Sequence, residues 1–232
     1  MSNKIKLYPC FSKWEEFDSI TILSDTHFDD EDVKAYRGNI TSEEIVKNIN
    51  KTCGKKSVFI CLGDVGNVEW VKKIRGYKVL IKGNHDSGSS NYQRKRSLTP
   101  YEISFNDIIK SSSVSNEEYI RQLIASMKVY ENKVDDNHLF DEVYEGPLII
   151  NEKIILSHEP LDVKGMLNIH GHIHDKNHKD DDNHLNVCAE HINYIPVRLN
   201  DIVSKGLLSR IDSLHRETID KATDRKRKRE KK

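Results

Sequence analysis

Short clusters along the chain combine carboxylates, an amide and imidazoles at spacings suited to metal chemistry. They are Asp25-x-His27, Gly63-Asp64, Gly83-Asn84-His85-Asp86, His158 and Gly171-His172-x-His174. Mixed nitrogen and oxygen donors without a thiolate suit borderline or moderately hard divalent ions such as Mn, Fe, Zn, Co or Ni. The set Asp25, His27, Asp64, Asn84, His158, His172 and His174 is too large for one ion. It fits two ions roughly 3.5 to 4 Å apart sharing one carboxylate, an arrangement that clamps both the attacking and the leaving oxygen of a phosphoryl centre. Side chains at i and i+2 of an extended segment leave the backbone on one side, so Asp25 and His27 are expected to grip one ion together.

Each of these residues follows an apolar run of strand length. Ile20 to Leu23 precedes Asp25, Ser57 to Leu62 precedes Asp64, and Tyr77 to Ile81 precedes Asn84 and His85. Between the first two runs, Thr41-Ser42-Glu43-Glu44 fits a capping box opening a helix to about Lys51, with Ile45, Val46 and Ile49 on its apolar face. A second helix is expected from about Asn67 to Arg75. Strands alternating with helices imply right-handed crossovers and a largely parallel sheet, whose ligands gather at the carboxyl ends of the strands. Lys4 to Cys10 reads as a short strand or an extended lead-in. Farther on, Glu142 to Ile150 and Lys153 to Leu156 read as two strands, Leu167 to Ile169 as another, and Leu185 to Cys188 with Asn193 to Leu199 as a final antiparallel pair.

Residues 87–138 break the rhythm. This Ser-rich stretch contains a capping box at Ser115 to Glu118 and helical spacing of Ile120, Leu123, Ile124 and Met127, so a helical insertion or lid is expected over about 87–138. The expected organisation is one domain over 1–200 carrying this insertion, a C-terminal helix over 201–220, and a basic tail over 221–232.

With 232 residues the chain is long enough to bury a substantial core, but its 36% hydrophobic and 32% charged content points to long polar loops. No run approaches the roughly 20 apolar residues that span a bilayer, and Met1 to Lys6 carries no apolar segment, so a soluble cytoplasmic protein without a membrane partner is expected. Cys10, Cys53, Cys61 and Cys188 lie far apart and read as buried reduced thiols. Net charge is zero, yet the last twelve residues hold eight Lys or Arg against Asp224 and Glu230, a net of +6 that leaves the body at −6. The tail is either a solvated helix end or an arm making weak, salt-sensitive and non-specific contact with nucleic acid; it has no aromatic residue to stack on bases.

In their order, Asp25-x-His27, Gly63-Asp64, Gly83-Asn84-His85-Asp86, His158 and Gly171-His172-x-His174 resemble the motifs of the calcineurin-like metallophosphoesterases. The resemblance spans residues 20–174. It implies an α/β fold, a β-sandwich of mixed sheets flanked by helices on both faces. It also implies that Asp25, His27 and His174 hold one divalent metal, that Asn84, His158 and His172 hold another, and that Asp64 bridges them. Hydroxide held between the metals would attack phosphorus, and His85 would bond the phosphate and assist the leaving oxygen. Asp86 would orient the His85 imidazole and favour its charged form. Outside this set, His170 reads as a packing or supporting residue. His178, His184 and His191 read as surface.

Asp86 stands where the Ser/Thr protein phosphatases carry Glu, and the segment after Gly66-Asn67 lacks their Asp-Arg-Gly, which argues against a protein phosphatase. The chain looks more like the small bacterial and phage phosphoesterases. A manganese-favouring phosphodiesterase acting on a small-molecule or nucleotide ester is therefore the expected function. The alternatives are a nuclease, a phosphomonoesterase, or a non-catalytic scaffold on the same fold. The basic tail favours a nuclease, whereas an acidic body would repel a polyanion.

Overall fold

The computed structural model describes residues 5–33, 37–86, 139–175, 177 and 179–211. The insertion expected over 87–138, residues 212–220 of the expected C-terminal helix and the tail 221–232 lie outside them. Two sheets face one another. The first has the order β4-β3-β2-β1-β9 and the second β5-β6-β7-β8. In the first, β1 (Ser19–Leu23), β2 (Ser57–Cys61), β3 (Tyr77–Ile81) and β4 (Glu142–Tyr144) run parallel, and β9 (Val197–Arg198) is antiparallel to β1. In the second, β5 (Leu148–Ile149) is antiparallel to β6 (Ile154–Leu156), which runs parallel to β7 (Leu167–His170) and through it to β8 (His184–Asn186).

The continuous apolar character of β2 follows from burial on both faces, and its period of two sorts it. Val58 and Ile60 point between the sheets, where they pack with Ile154, Leu156, Leu167 and Ile169. Phe59 and Cys61 point to the other side, where α2 (Ser42–Thr52) lays down Ile45, Val46 and Ile49. Each such fully buried aliphatic side chain contributes roughly 1.5–3 kcal/mol. The capping box forms as expected: Thr41 Oγ1 accepts the Glu44 N–H, and Glu44 Oε2 accepts the Thr41 N–H. At the N-terminus α1 (Ser12–Glu15) buries Trp14 in the inter-sheet core.

Several elements differ from expectation for identifiable reasons. Lys4 to Cys10 supplies no strand among its described residues; it is an extended lead-in tied by Tyr8 N–H to Ile150 O at 2.8 Å, followed by a 3-10 turn over Pro9–Phe11. The segment 67–75 holds a 3-10 helix, Val68–Lys73, capped by the Asn67 side chain, because so short a span cannot repay an α-helical nucleus. Glu142 to Ile150 is split at Gly146-Pro147, where proline offers no ladder donor, and its two halves join different sheets. The expected final antiparallel pair does not form. β8 joins the second sheet and β9 the first, with Asn193 and Tyr194 at positive φ turning the chain between them. The C-terminal helix is interrupted: α3 covers Leu199–Ser204, Gly206 at φ 74° ends it in a left-handed cap, and a 3-10 turn follows over Leu207–Arg210.

No helix among the described residues is long and apolar enough to cross a membrane. Cys10 is exposed, against expectation, while Cys53, Cys61 and Cys188 are buried; all four are free.

Candidate metal centre

The centre lies where β1, β2, β3, β6 and β7 end. The strand β1 stops at Leu23, after which residues 24–28 run beside residues 62–65. Asp25 N–H donates to Gly63 O at 3.0 Å, His27 N–H to Asp64 O at 2.9 Å and Phe28 N–H to Val65 O at 2.8 Å. Asp25, His27, Asp64 and His172 all have left-handed backbone, with φ of 57°, 38°, 53° and 67°. The expected extended i, i+2 geometry for Asp25 and His27 is therefore wrong; their side chains are brought together by a loop beyond the strand. Such conformations cost on the order of 1–3 kcal/mol each and persist where the surroundings over-determine them. Buried Arg37 supplies part of that constraint, since its Nη2 donates to the carbonyls of both Thr26 and His27.

Two donor groups converge and share Asp64. Asp25 Oδ1 lies 3.5 Å from His174 Nε2 and 4.0 Å from His27 Nε2. On the other side, Asn84 Oδ1 lies 2.8 Å from His158 Nε2 and 3.2 Å from His172 Nδ1, which are themselves 3.2 Å apart. Between the groups, Asp64 Oδ2 is 3.6 Å from His27 Nε2 and 3.4 Å from His158 Nε2.

The donor chemistry fits cations. Asp25 Oδ1 and His27 Nε2 are buried with no hydrogen-bond partner among the described residues, which is costly unless something positive sits between them. With His158 Nδ1 held by the Leu62 carbonyl at 2.8 Å, the Nε2 of a neutral ring presents a lone pair to the Asn84 and Asp64 oxygens. A proton or a metal must relieve that crowding. Burial alone would lower the His158 imidazole, but its hydrogen bond to Asp64 and the charges of Asp25 and Asp64 carry it up to about 9. Burial pushes the Asp25 carboxyl up against the opposing charge of His158. Asp64 goes the other way, because the His158 and His27 charges and two hydrogen bonds overcome its burial.

His85 is exposed at the mouth, its ring centroid 5.5 Å from that of His27, and its backbone N–H donates to Asp64 Oδ1 at 3.0 Å. Asp86 is buried, and its carboxylate accepts backbone N–H groups from Asp64 at 2.8 Å, Gly83 at 2.9 Å and Val65 at 3.1 Å. Those contacts tie the Asn84–Asp86 turn to the loop bearing Asp64; orientation of the His85 ring is a role only the resemblance implies. The His172 N–H donates to Asp25 Oδ2 at 2.8 Å, and a Cβ at neighbouring Gly171 would run into that carboxylate and the Ser24 hydroxyl. Beside Asn84 and His158 a cleft of 260 Å³ opens, lined also by Lys82, Glu145, Pro147, Glu159 and Leu161.

Sequence reasoning missed the residues behind the imidazoles. Asp30 Oδ2 lies 2.9 Å from His27 Nδ1, and Glu190 Oε2 lies 3.3 Å from His174 Nδ1 while accepting the Cys188 thiol at 2.9 Å. The run of carboxylates Asp29 to Asp32 directly after His27 is the sequence signal that could have found Asp30; no local pattern marks Glu190. His170 is fully buried, with its ring against His184 at 5.8 Å, as a packing residue would be. His184 and His191 are half-buried rather than surface, and His178 lies outside the described residues.

Residues 19–231 match the family model of the calcineurin-like phosphoesterases. No curated protein matches the sequence. Among solved structures, a protein of unknown function from Aquifex aeolicus is 20% identical, with coverage of 80% of this chain and 98% of that one and a TM-score of 0.48. A nuclease from Pseudomonas putida is 16% identical, with coverage of 66% and 60% and a TM-score of 0.36.

Proposed function

The chain belongs to the calcineurin-like phosphoesterase family, and from that premise we propose that it hydrolyses a small-molecule or nucleotide phosphodiester using two divalent cations, with manganese favoured. The observation that carries this reading is the position of Asp64 Oδ2 between His27 Nε2 at 3.6 Å and His158 Nε2 at 3.4 Å, with a donor group on either side. Asp25, His27 and His174 would hold one cation, and Asn84, His158 and His172 the other. Bound there, the cations would polarise the phosphoryl oxygens and acidify a water for attack.

The chain's own groups do the rest. Asp64 anchors both halves and receives the His85 N–H, so the turn carrying His85 is set relative to the centre. The exposed His85 imidazole then binds the phosphate and delivers a proton to the departing oxygen. Asp86 acts by holding that turn. Glu159 in the adjoining cleft, where Lys82 pairs with Glu145, and Asp29, Asp30, Glu31 and Asp32 after His27 favour a compact ester over a nucleic-acid polyanion. The free thiols suit a cytoplasmic setting.

The test is hydrolysis of a chromogenic phosphodiester and its matching monoester by metal-stripped protein, before and after Mn²⁺ is added, with Asp64→Asn as the control. Diester cleavage that Mn²⁺ restores and the variant lacks supports the proposal. Preference for the monoester moves it to a phosphomonoesterase, and cleavage of DNA or RNA above the small diester moves it to a nuclease acting with the basic tail. No turnover with any divalent ion by folded protein favours a scaffold.

A further inference from the structure

The two halves of the centre are not supported alike. On one side both imidazoles are backed by carboxylates: Asp30 Oδ2 at 2.9 Å from His27 Nδ1, and Glu190 Oε2 at 3.3 Å from His174 Nδ1. On the other side the His158 Nδ1 meets the Leu62 carbonyl, a neutral acceptor, at 2.8 Å. The remaining donors of that half are the Asn84 amide oxygen and the His172 ring, neither of them a carboxylate. We propose that Glu190 is a positioning residue that holds His174 with Nε2 turned into the centre, and that Glu190 and Asp30 together make the Asp25–His27–His174 side the tighter of two cation sites. This rests on the cation-dependent reading above.

The geometry gives the reason. An imidazole that donates its Nδ1–H to a carboxylate keeps its lone pair on Nε2, which fixes both the tautomer and the ring orientation. His174 Nε2 lies 3.5 Å from Asp25 Oδ1, and the His27 Nε2, buried and without a hydrogen-bond partner among the described residues, lies 4.0 Å from the same oxygen. Glu190 is buried, at 6% exposure, and is itself held by the Cys188 thiol at 2.9 Å. It reaches this place because the chain after β8 pairs with the chain after β1, through the Ser24–Cys188 bridge. His174, Cys188 and Glu190 are close enough together to suggest a metal site of their own. The separation of Sγ and Oε2, however, is that of a hydrogen bond, and the His174 nitrogen that meets them, 3.3 Å from Glu190 Oε2 and 3.5 Å from Cys188 Sγ, is the one opposite the nitrogen facing Asp25. Three carboxylates, Asp25, Asp30 and Glu190, thus lie on one side of the shared Asp64, and none belongs to the other donor set.

The experiment is titration of metal-stripped, full-length protein with Mn²⁺ by calorimetry, a readout of binding and not of turnover. Wild type is expected to show two events of unequal affinity. Glu190→Gln should weaken the tighter event about 10- to 100-fold and leave the weaker one in place. Cys188→Ala should weaken the tighter event less than Glu190→Gln does, because it removes a donor to Glu190 and leaves the carboxylate behind His174 in place. Asp30→Asn, in the loop at the mouth, should weaken the same tighter event through His27, and it serves if the Glu190 variant does not fold. An unchanged tighter event in either charge-removing variant overturns the proposal while the cation reading stands. Equal weakening of both events with a lower thermal midpoint also overturns it, since that is general structural damage. Folded wild-type protein that binds no Mn²⁺ removes the cation reading and this proposal together.

Discussion

The carboxylate of Asp86 is bonded to the backbone of Asp64: Oδ2 accepts the Asp64 N–H at 2.8 Å, and Oδ1 accepts that of Val65 at 3.1 Å. With Gly83 N–H also donating to Oδ2, at 2.9 Å, one buried side chain ties the turn bearing Asn84 and His85 to the left-handed loop bearing the shared carboxylate.

Asp86→Ala strands those backbone donors inside the protein, and each buried group left unpaired costs about 1–3 kcal/mol. The expected outcome is a strongly lowered thermal midpoint together with lost hydrolysis. Asp86→Asn keeps one acceptor oxygen and should fall between the variant and wild type. If Asp86 acted only through the His85 ring, Asp86→Ala would lose turnover at an unchanged midpoint.

Gly171→Ala tests the close approach of two strand-end loops. The added methyl meets the Asp25 carboxylate and the Ser24 hydroxyl, so the loops must separate and the His172 N–H bond to Asp25 is lost. Overpacking of this kind typically costs about 1–3 kcal/mol. Cation binding should weaken at the same time, and calorimetry with the thermal midpoint reads both effects.

Removal of divalent cations by a chelator should lower the thermal midpoint of wild type, because Asp25 Oδ1 and His27 Nε2 have no hydrogen-bond partner among the described residues to take the cation's place. Restoring cation to about 100 times its dissociation constant adds roughly 2.7 kcal/mol. For a chain of this size that is a rise of roughly 5–10 °C. Asp64→Asn, which removes the negative charge of the shared candidate ligand and leaves one neutral amide oxygen, should show a much smaller rise and at least a 100-fold loss of turnover, on the order expected for a transition-state electrostatic group.

Thr41 and Glu44 give a prediction away from the centre. The backbone N–H of Thr41 bonds Glu44, and this holds its carboxyl below the ordinary 4.5. A carboxyl lowered in the folded state stabilises above its unfolded value, and the contribution is lost as pH falls through the folded one. The gap in thermal midpoint between wild type and Glu44→Ala should therefore be full in neutral buffer and narrow as the pH drops below 4.5. Thr41→Ala removes the other half of the box and should cost about 1 kcal/mol.

Much of the candidate centre was legible because each candidate ligand sits where an apolar run ends. Strands buried on both faces, such as β2 with Val58 and Ile60 to one side and Phe59 and Cys61 to the other, must be apolar throughout. Where such a strand leaves the sheet that requirement lapses, and Asp64 or Asn84 stands out against it. The helix at Ser42–Thr52 was equally readable, since Thr41 and Glu44 cap it through bonds three residues apart. Glycine and proline breaks were visible too, yet their consequence was not: Gly146-Pro147 marks a break, but not that Tyr144 and Leu148 belong to different sheets.

Sequence by itself therefore determined the donor types, their order and the strands that deliver them, because those depend on burial pattern and near-neighbour spacing. Tertiary structure alone decided that Asp25 and His27 meet through left-handed backbone held by Arg37 and by the loop of Asp64. It alone also placed Glu190 behind His174, through the pairing of Cys188 with Ser24 from the far end of the chain. Contacts between segments so distant in sequence leave no periodicity in either one. They arise from how two sheets pack, and that is a property of the whole fold.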